Sequence, residues 1–322
     1  MKFVYVLISD SKDYYTEQCF LSIISLRKYN EDAEVILLTD VDTYKCLGNK
    51  RVDLLGCVNE IITYDFSDKY DNRARSKKLK TLSRRLLRGD YIYIDCDTII
   101  CSQLEVGSDM YSISAVKDNH SCIDSSIAEF SGVVERAKKC KASAGYGCIH
   151  YNSGVIICRD NDNCYAFFKK WEELWELHWR RDGISIDQLS FNEANSVMEG
   201  PIHEIDGTWN CQLRYGMRYV ADAKILHYLA SSSQKAKINR SGYFFAQTTL
   251  YEELRKNGII TDDMMECIEK PRSAFGLVEL MEVGSDNYLL THSKVGALLR
   301  FLIREHYAVF NLINRVLTIF DI

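Results

Sequence analysis

Proline is nearly missing: Pro201 and Pro271 are the two in 322 residues, so little in the chain breaks a regular element. There is no internal repeat and no low-complexity stretch. No CxxC pair occurs among the twelve cysteines, and Cys19, Cys96, Cys101 and Cys158 stand inside apolar runs, which argues against a structural zinc site. The opening MKFVYVLISD reaches an acidic residue too soon for a secretory signal. Reduced thiols, mostly small buried hydrophobes, are therefore expected in a cytoplasmic protein. A strong positive charge is also lacking. The net charge of −5 and pI near 5.9 disfavour an electrostatically driven nucleic-acid binder. What is present is ordinary globular material, 47% hydrophobic and 26% charged, which predicts a packed fold. Twenty tyrosines supply rings with a polar tip, useful in sugar sites and equally at home in cores.

The first half alternates short apolar runs with helical spacing. Residues 3–8, 35–38, 52–57, 61–64 and 91–94 read as strands, and 14–28 and 76–87 as helices. Further strands are expected at 112–116, 155–158 and 223–228, with helices at 167–179 and within 183–197. This predicts an α/β fold, a mostly parallel, Rossmann-like sheet with both faces covered. Ligands of such sheets bind outside the carboxyl ends of the strands, where Asp10, Asp40, Asp95 and Asp97 fall. The expected organisation is a catalytic domain over 1–240, its nucleotide-binding half 1–110 and its sugar and acceptor half 111–240. A helical region over 241–322 follows.

From about residue 293 the C-terminal region is amphipathic. Arg300, Arg304, Asn311, Arg315 and Thr318 line one polar stripe. Arg300, Arg304, Glu305 and Arg315 interrupt it too often for a membrane span. It reads either as helices packed on the domain or as a segment lying in a membrane interface, its arginines near lipid phosphates.

Asp95 and Asp97 directly follow the strand YIYI. Residues two apart in an extended chain point to one face, and two carboxylates together are costly unless a cation fills the site. Hard divalent ions such as Mn²⁺ or Mg²⁺ take oxygen ligands and can bind a diphosphate as well.

Several motifs in order carry a resemblance: VYVLISDSKDYY, SKKLKTLSRRLL feeding YIYIDCDTII, AVKD, YNSGVIICR, SIDQLSFNEA and AKILHYL. Spread from residue 3 to about 235, they resemble the retaining GT-A glycosyltransferases of the glycogenin and lipopolysaccharide galactosyltransferase type, family 8. The resemblance implies a GT-A fold and a divalent metal held by Asp95, Asp97 and His227. Asp10 and Tyr15 would meet the nucleotide of a UDP-sugar, and Cys96 belongs to the same D-x-D segment. Lys80, Lys78 or Lys77 would contact the donor. Asp118, Asn152 and Gly154 would face the donor sugar, although Asn152-Ser153-Gly154 also fits turn chemistry. Asp187 and Gln188 would stand near the reacting carbon; the plain alternative has Ser185 capping a helix and Asp187 complementing its dipole. The family's H-x-x-G-x-x-K is altered here: Ala230 replaces the glycine and Lys235 comes two residues late. Acceptor specificity is expected in 119–147, in the aromatic helix of Trp171, Trp175 and Trp179, and after Lys235.

The expected activity is transfer of a sugar from a UDP-sugar to a glycan or lipid-linked acceptor, in cell-surface polysaccharide or lipopolysaccharide synthesis, at the inner face of a membrane if the C-terminal segment binds lipid. The alternatives are an inverting GT-A transferase and an inactive nucleotide-sugar-binding or membrane-docking protein.

Overall fold

The computed structural model describes residues 1–48, 52–66, 69–107, 111–121, 135, 138–139, 149–213, 217–229, 243–275 and 293–319. Lys235 and most of 119–147 lie outside the described residues.

A seven-stranded sheet is formed by β1 (Lys2–Leu7), β2 (Glu34–Asp40), β3 (Glu60–Tyr64), β4 (Tyr91–Ile94), β6 (Ile113–Lys117), β7 (Tyr151–Cys158) and β8 (Ile202–Glu204), in the order β3-β2-β1-β4-β7-β6-β8. The first four strands are parallel. β7 then enters antiparallel between β4 and β6, and β8 closes the edge parallel to β6. A three-stranded sheet joins β5 (Thr98–Ile100), β10 (Ile225–His227) and β9 (Cys211–Gln212).

β4 and β7 are buried along their whole length, and β1 and β2 beyond their first residues, because alternate side chains feed two separate cores. Phe3, Tyr5, Leu7, Val35, Leu37, Ile92 and Ile94 point to one face, with Cys19, Ile23 and Leu26 of α1 (Tyr15–Tyr29). Val4, Val6, Ile36, Leu38, Tyr91 and Tyr93 point to the other. There they meet α3 (Asn72–Leu86), α4 (Asp162–Asp182) and α5 (Asp187–Val197). A short α2 (Val41–Leu47) follows β2, capped by the Asp40 carboxylate on the Thr43 amide. Past β10, α6 (Thr248–Asn257) and α7 (Asp262–Glu269) pack back on α1. Arg255 of α6 pairs with buried Glu17 at 2.7 Å and stacks over Tyr14. The last described elements are α8 (Lys294–Glu305) and α9 (Tyr307–Ile319).

Several sequence expectations shift. Residues 52–57 are not a strand: 55–57 form a single 3₁₀ turn, entered through an Asp53 side chain that accepts from the Gly56 amide. The helix expected at 76–87 begins at Asn72, because Asp71 caps it by accepting from the Ala74 amide. Asn152, Ser153 and Gly154 are not a turn; β7 starts at Tyr151 and takes them into the sheet. Ser185 is not the cap of α5, which begins after Ile186 without a side-chain cap; the Ser185 carbonyl instead accepts from Trp175 Nε1 at 3.0 Å. Nor does the aromatic helix face an acceptor at Trp171 and Trp175. Both are fully buried, and their indole N–H groups hold the Asp187 and Ser185 carbonyls, each at 3.0 Å.

Candidate active site

The carboxyl end of β4 delivers Asp95, and its amide bonds to the Gly154 carbonyl at 2.8 Å, continuing the β4–β7 pairing. The chain then turns through Cys96 into β5, where Thr98 pairs with His227 of β10. That pairing brings His227 Nε2 to 3.2 Å from Asp97 Oδ1. Asp95, Asp97 and His227 each offer one ligand atom, all within 4.8 Å of one another. Two carboxylate oxygens and one imidazole nitrogen form the donor set that a hard or borderline divalent ion takes. Burial works to raise the Asp97 carboxyl, but His227 outweighs it, and the group lies below the usual carboxylate range. Burial likewise works against His227⁺, yet Asp97 and Asp95 hold the imidazole above its ordinary value. The pocket therefore favours positive charge between these groups.

Gly154 is required at its place. A Cβ built there would stand 2.4 Å from His227 Cε1 and 2.8 Å from Nδ1, so any side chain would have to displace the imidazole.

α3 sends two lysines to this end. Residues three apart on a helix share a face. Lys80 Nζ sits 3.2 Å from Asp95 Oδ1 and 3.0 Å from Asp187 Oδ2, and Lys77 Nζ lies 3.2 Å from Asp187 Oδ1. Lys78, the remaining lysine of the three, turns away to Glu172 and Glu176 of α4. Lys80 also lies over the Tyr93 ring, whose hydroxyl donates to Asp95 at 2.5 Å. Burial opposes charge on Lys77 and on Asp187, but the ion pairs prevail: the Lys77 ammonium is raised above its ordinary value, and the Asp187 carboxyl is held far below its own.

Asp118 directly follows β6 and accepts from Asn152 Nδ2 at 2.9 Å and from Gln188 Nε2 at 2.6 Å, with His150 Nδ1 at 3.5 Å. Burial would raise it; His150 and the two amides keep it below the carboxylate range. Asn192 of α5 bonds both the N–H and the C=O of Tyr151, so α5, with Asp187 and Gln188, is locked to β7.

Of the residues expected in the site, Asp95, Asp97, Asp118, Asn152, Gly154, Asp187, Gln188, His227 and Lys80 are joined by these contacts. Asp10 stands at the end of β1 and reaches α3, accepting from Asn72 Nδ2 at 3.2 Å. The Tyr15 ring is exposed at the start of α1, and among the described residues no contact joins it to this network. The Cys96 thiol is turned inward to the Val6 carbonyl. Missing from the sequence reading is Asn210, fully buried, whose Oδ1 lies 2.9 Å from His227 Nδ1. Asn210 ends the turn Gly207–Asn210, immediately before β9, and nothing in the local sequence marks it.

No family model matches the chain, and no curated protein matches it in sequence. Among solved structures it is similar to the glycosyltransferase GlyE of Streptococcus pneumoniae TIGR4, at 14% identity and a TM-score of 0.48 over 87% of this chain; it spans 66% of the length of GlyE. It is also similar to an active-site mutant of LgtC, at 13% identity and a TM-score of 0.49, over 84% of this chain and all of that one. For mouse xyloside xylosyltransferase 1 the figures are 13% and 0.46, over 72% of this chain and 98% of the other.

Proposed function

We propose that this chain is a metal-dependent glycosyltransferase that moves a sugar from a UDP-sugar to a glycan or lipid-linked acceptor with retention of configuration, in cell-surface polysaccharide or lipopolysaccharide synthesis. The observation that carries the reading is the Asp95–Asp97–His227 cluster at the carboxyl end of β4, with Lys77, Lys80, Asp187 and Gln188 beside it. When bound, Mn²⁺ or Mg²⁺ would offset the charge that builds on a departing diphosphate. Lys77 adds a second cation near the same place. Gln188 commits its Nε2 to Asp118, so the amide oxygen is the end it offers to a sugar carbon gaining positive charge. Asp187 makes a poor nucleophile, since Lys77, Lys80 and Ser153 hold its oxygens. Retention then follows a front-face course. The acceptor oxygen bonds to the sugar carbon on the side from which the diphosphate oxygen leaves, and the acceptor proton passes to that diphosphate.

A screen of UDP-glucose, UDP-galactose and their N-acetyl forms tests this. One donor is expected to release UDP only with Mn²⁺ or Mg²⁺, and NMR of the product should show the donor's anomeric configuration retained. No turnover of any donor, together with no metal-dependent nucleotide binding, overturns the reading.

The same proposal includes a lipid surface as the C-terminal partner. Along α8 and α9, Val295, Leu298, Phe301, Ile303, Leu312, Ile313, Val316 and Leu317 are exposed. Lys294, Arg300, Arg304 and Arg315 stand in these helices against one acidic residue, Glu305, in a chain of net charge −5. Among the described residues no helix is long and apolar enough to cross a membrane. The protein is expected to co-sediment with phosphatidylglycerol vesicles and not with neutral ones. Phe301→Glu with Leu312→Glu should cut that partition by about tenfold or more. Equal partition by this variant rules the lipid partner out.

A further inference from the structure

The polar groups behind His227 form one continuous chain, and both its fixed ends have a known sense. At one end the Asp118 carboxylate can only accept, and it takes Asn152 Nδ2 at 2.9 Å. At the other side of the same amide, the Gly154 backbone N–H can only donate, and it meets Asn152 Oδ1 at 2.8 Å. The orientation of Asn152 is therefore set twice over. Its Oδ1 also meets Asn210 at 2.9 Å, so Asn210 must present Nδ2 there. The Asn210 oxygen is then left facing His227 Nδ1 at 2.9 Å. An oxygen facing a ring nitrogen at that distance requires the nitrogen to donate, which puts the imidazole proton on Nδ1. In the neutral ring Nε2 then keeps its lone pair, directed at Asp97 Oδ1, 3.2 Å away. Two acceptors at that separation call for positive charge between them, which a proton or a divalent ion supplies.

We infer that Asn210 is a positioning residue. Through it, the line Asp118–Asn152–Asn210 dictates the tautomer of His227 and keeps Nε2 free for a divalent ion. The line is buried throughout: Asn152 and Asp118 are about 5% and 6% exposed and Asn210 is closed to solvent, so water does not substitute for a missing link. Asp118 thereby orients two things at once, since the same carboxylate turns Gln188 by accepting its Nε2. The inference rests on the metal-site reading above, and carries it from the three ligands to the groups that aim one of them. Partners of this kind fix ring orientation and raise ligand basicity, and their loss typically costs about 10–100-fold in metal affinity.

The experiment uses the full chain and Mn²⁺ alone. Long-range ¹H–¹⁵N NMR of the metal-free protein, at alkaline pH where His227 is neutral, is expected to show the proton on Nδ1. Mn²⁺ titrations by electron paramagnetic resonance should find Asn210→Leu weakened by about tenfold to a hundredfold. Asn210→Asp, which keeps an acceptor at Nδ1 but sets its other oxygen against Asn152 Oδ1, should recover part of that loss. A wild-type His227 protonated on Nε2, a leucine variant that binds Mn²⁺ like wild type, or leucine and aspartate variants equally weak would each overturn the inference. Failure of the wild-type chain to bind Mn²⁺ would instead refute the metal site, while the NMR tautomer still decides the role of Asn210 without metal or variant.

Discussion

Asp97→Ala is expected to lower metal-dependent sugar transfer by about 10³-fold or more, from the several kcal/mol of charge stabilisation that a Lewis-acid ion supplies to a leaving group. The substitution removes one oxygen of the proposed metal site and leaves His227 Nε2 without its counter-charge. Asp97 itself lies in the turn between β4 and β5, where its carbonyl accepts from the Tyr228 amide at 3.2 Å. That backbone bond does not depend on the side chain, so the fold should persist and circular dichroism should be unchanged. Mn²⁺ affinity, measured by calorimetry, should fall with activity. A variant that keeps more than a tenth of wild-type transfer, or that loses transfer while binding Mn²⁺ normally, would remove Asp97 from the ligand set.

The acidic pair was readable because two local facts coincide there, four large apolar residues and then carboxylates two apart. His227 was readable only through its resemblance, since nothing within AKILHYL says that β10 will pair with β5 beside Asp97. The alternation of strand and helix made the parallel half of the sheet legible. The antiparallel entry of β7 between β4 and β6 was not, because a strand buried on both faces looks alike in either direction. Lys77, Lys78 and Lys80 could not be told apart until the rotation of α3 against the sheet was known; about 100° separates Lys77 from Lys78, enough to send one to Asp187 and the other to α4. The tryptophans of α4 misled for a similar reason. Indoles suit both sugar faces and cores, and the choice was made by α3 and α5 closing over Trp171 and Trp175. Asn210 had no signal at all: its meaning lies in contacts with Asn152 and His227, 58 and 17 residues away.

Asp187→Ala is expected to cost about 3–5 kcal/mol of stability at neutral pH, the range for removing one partner of a buried ion pair. Asp187 is almost closed to solvent, and it compensates Lys80, 2% exposed at its side chain, as well as the partly buried Lys77. Its loss leaves Lys80 with Asp95 and the Ser153 hydroxyl, and takes from Lys77 the carboxylate 3.2 Å from its ammonium. Lys80→Met in the same chain should return part of the cost, because the stranded buried charge is then gone too. The pH dependence has a definite sign. The folded carboxyl titrates far below its unfolded value, so its contribution is fully present above about pH 4, near the unfolded carboxylate value, and is lost as the pH falls from there towards the folded one. Urea unfolding at pH 7 should therefore separate wild type from Asp187→Ala by the full amount, and the gap should narrow at pH 3. A gap under about 1 kcal/mol at pH 7, or one that holds unchanged into acid, would mean that the two lysines do not depend on this carboxylate.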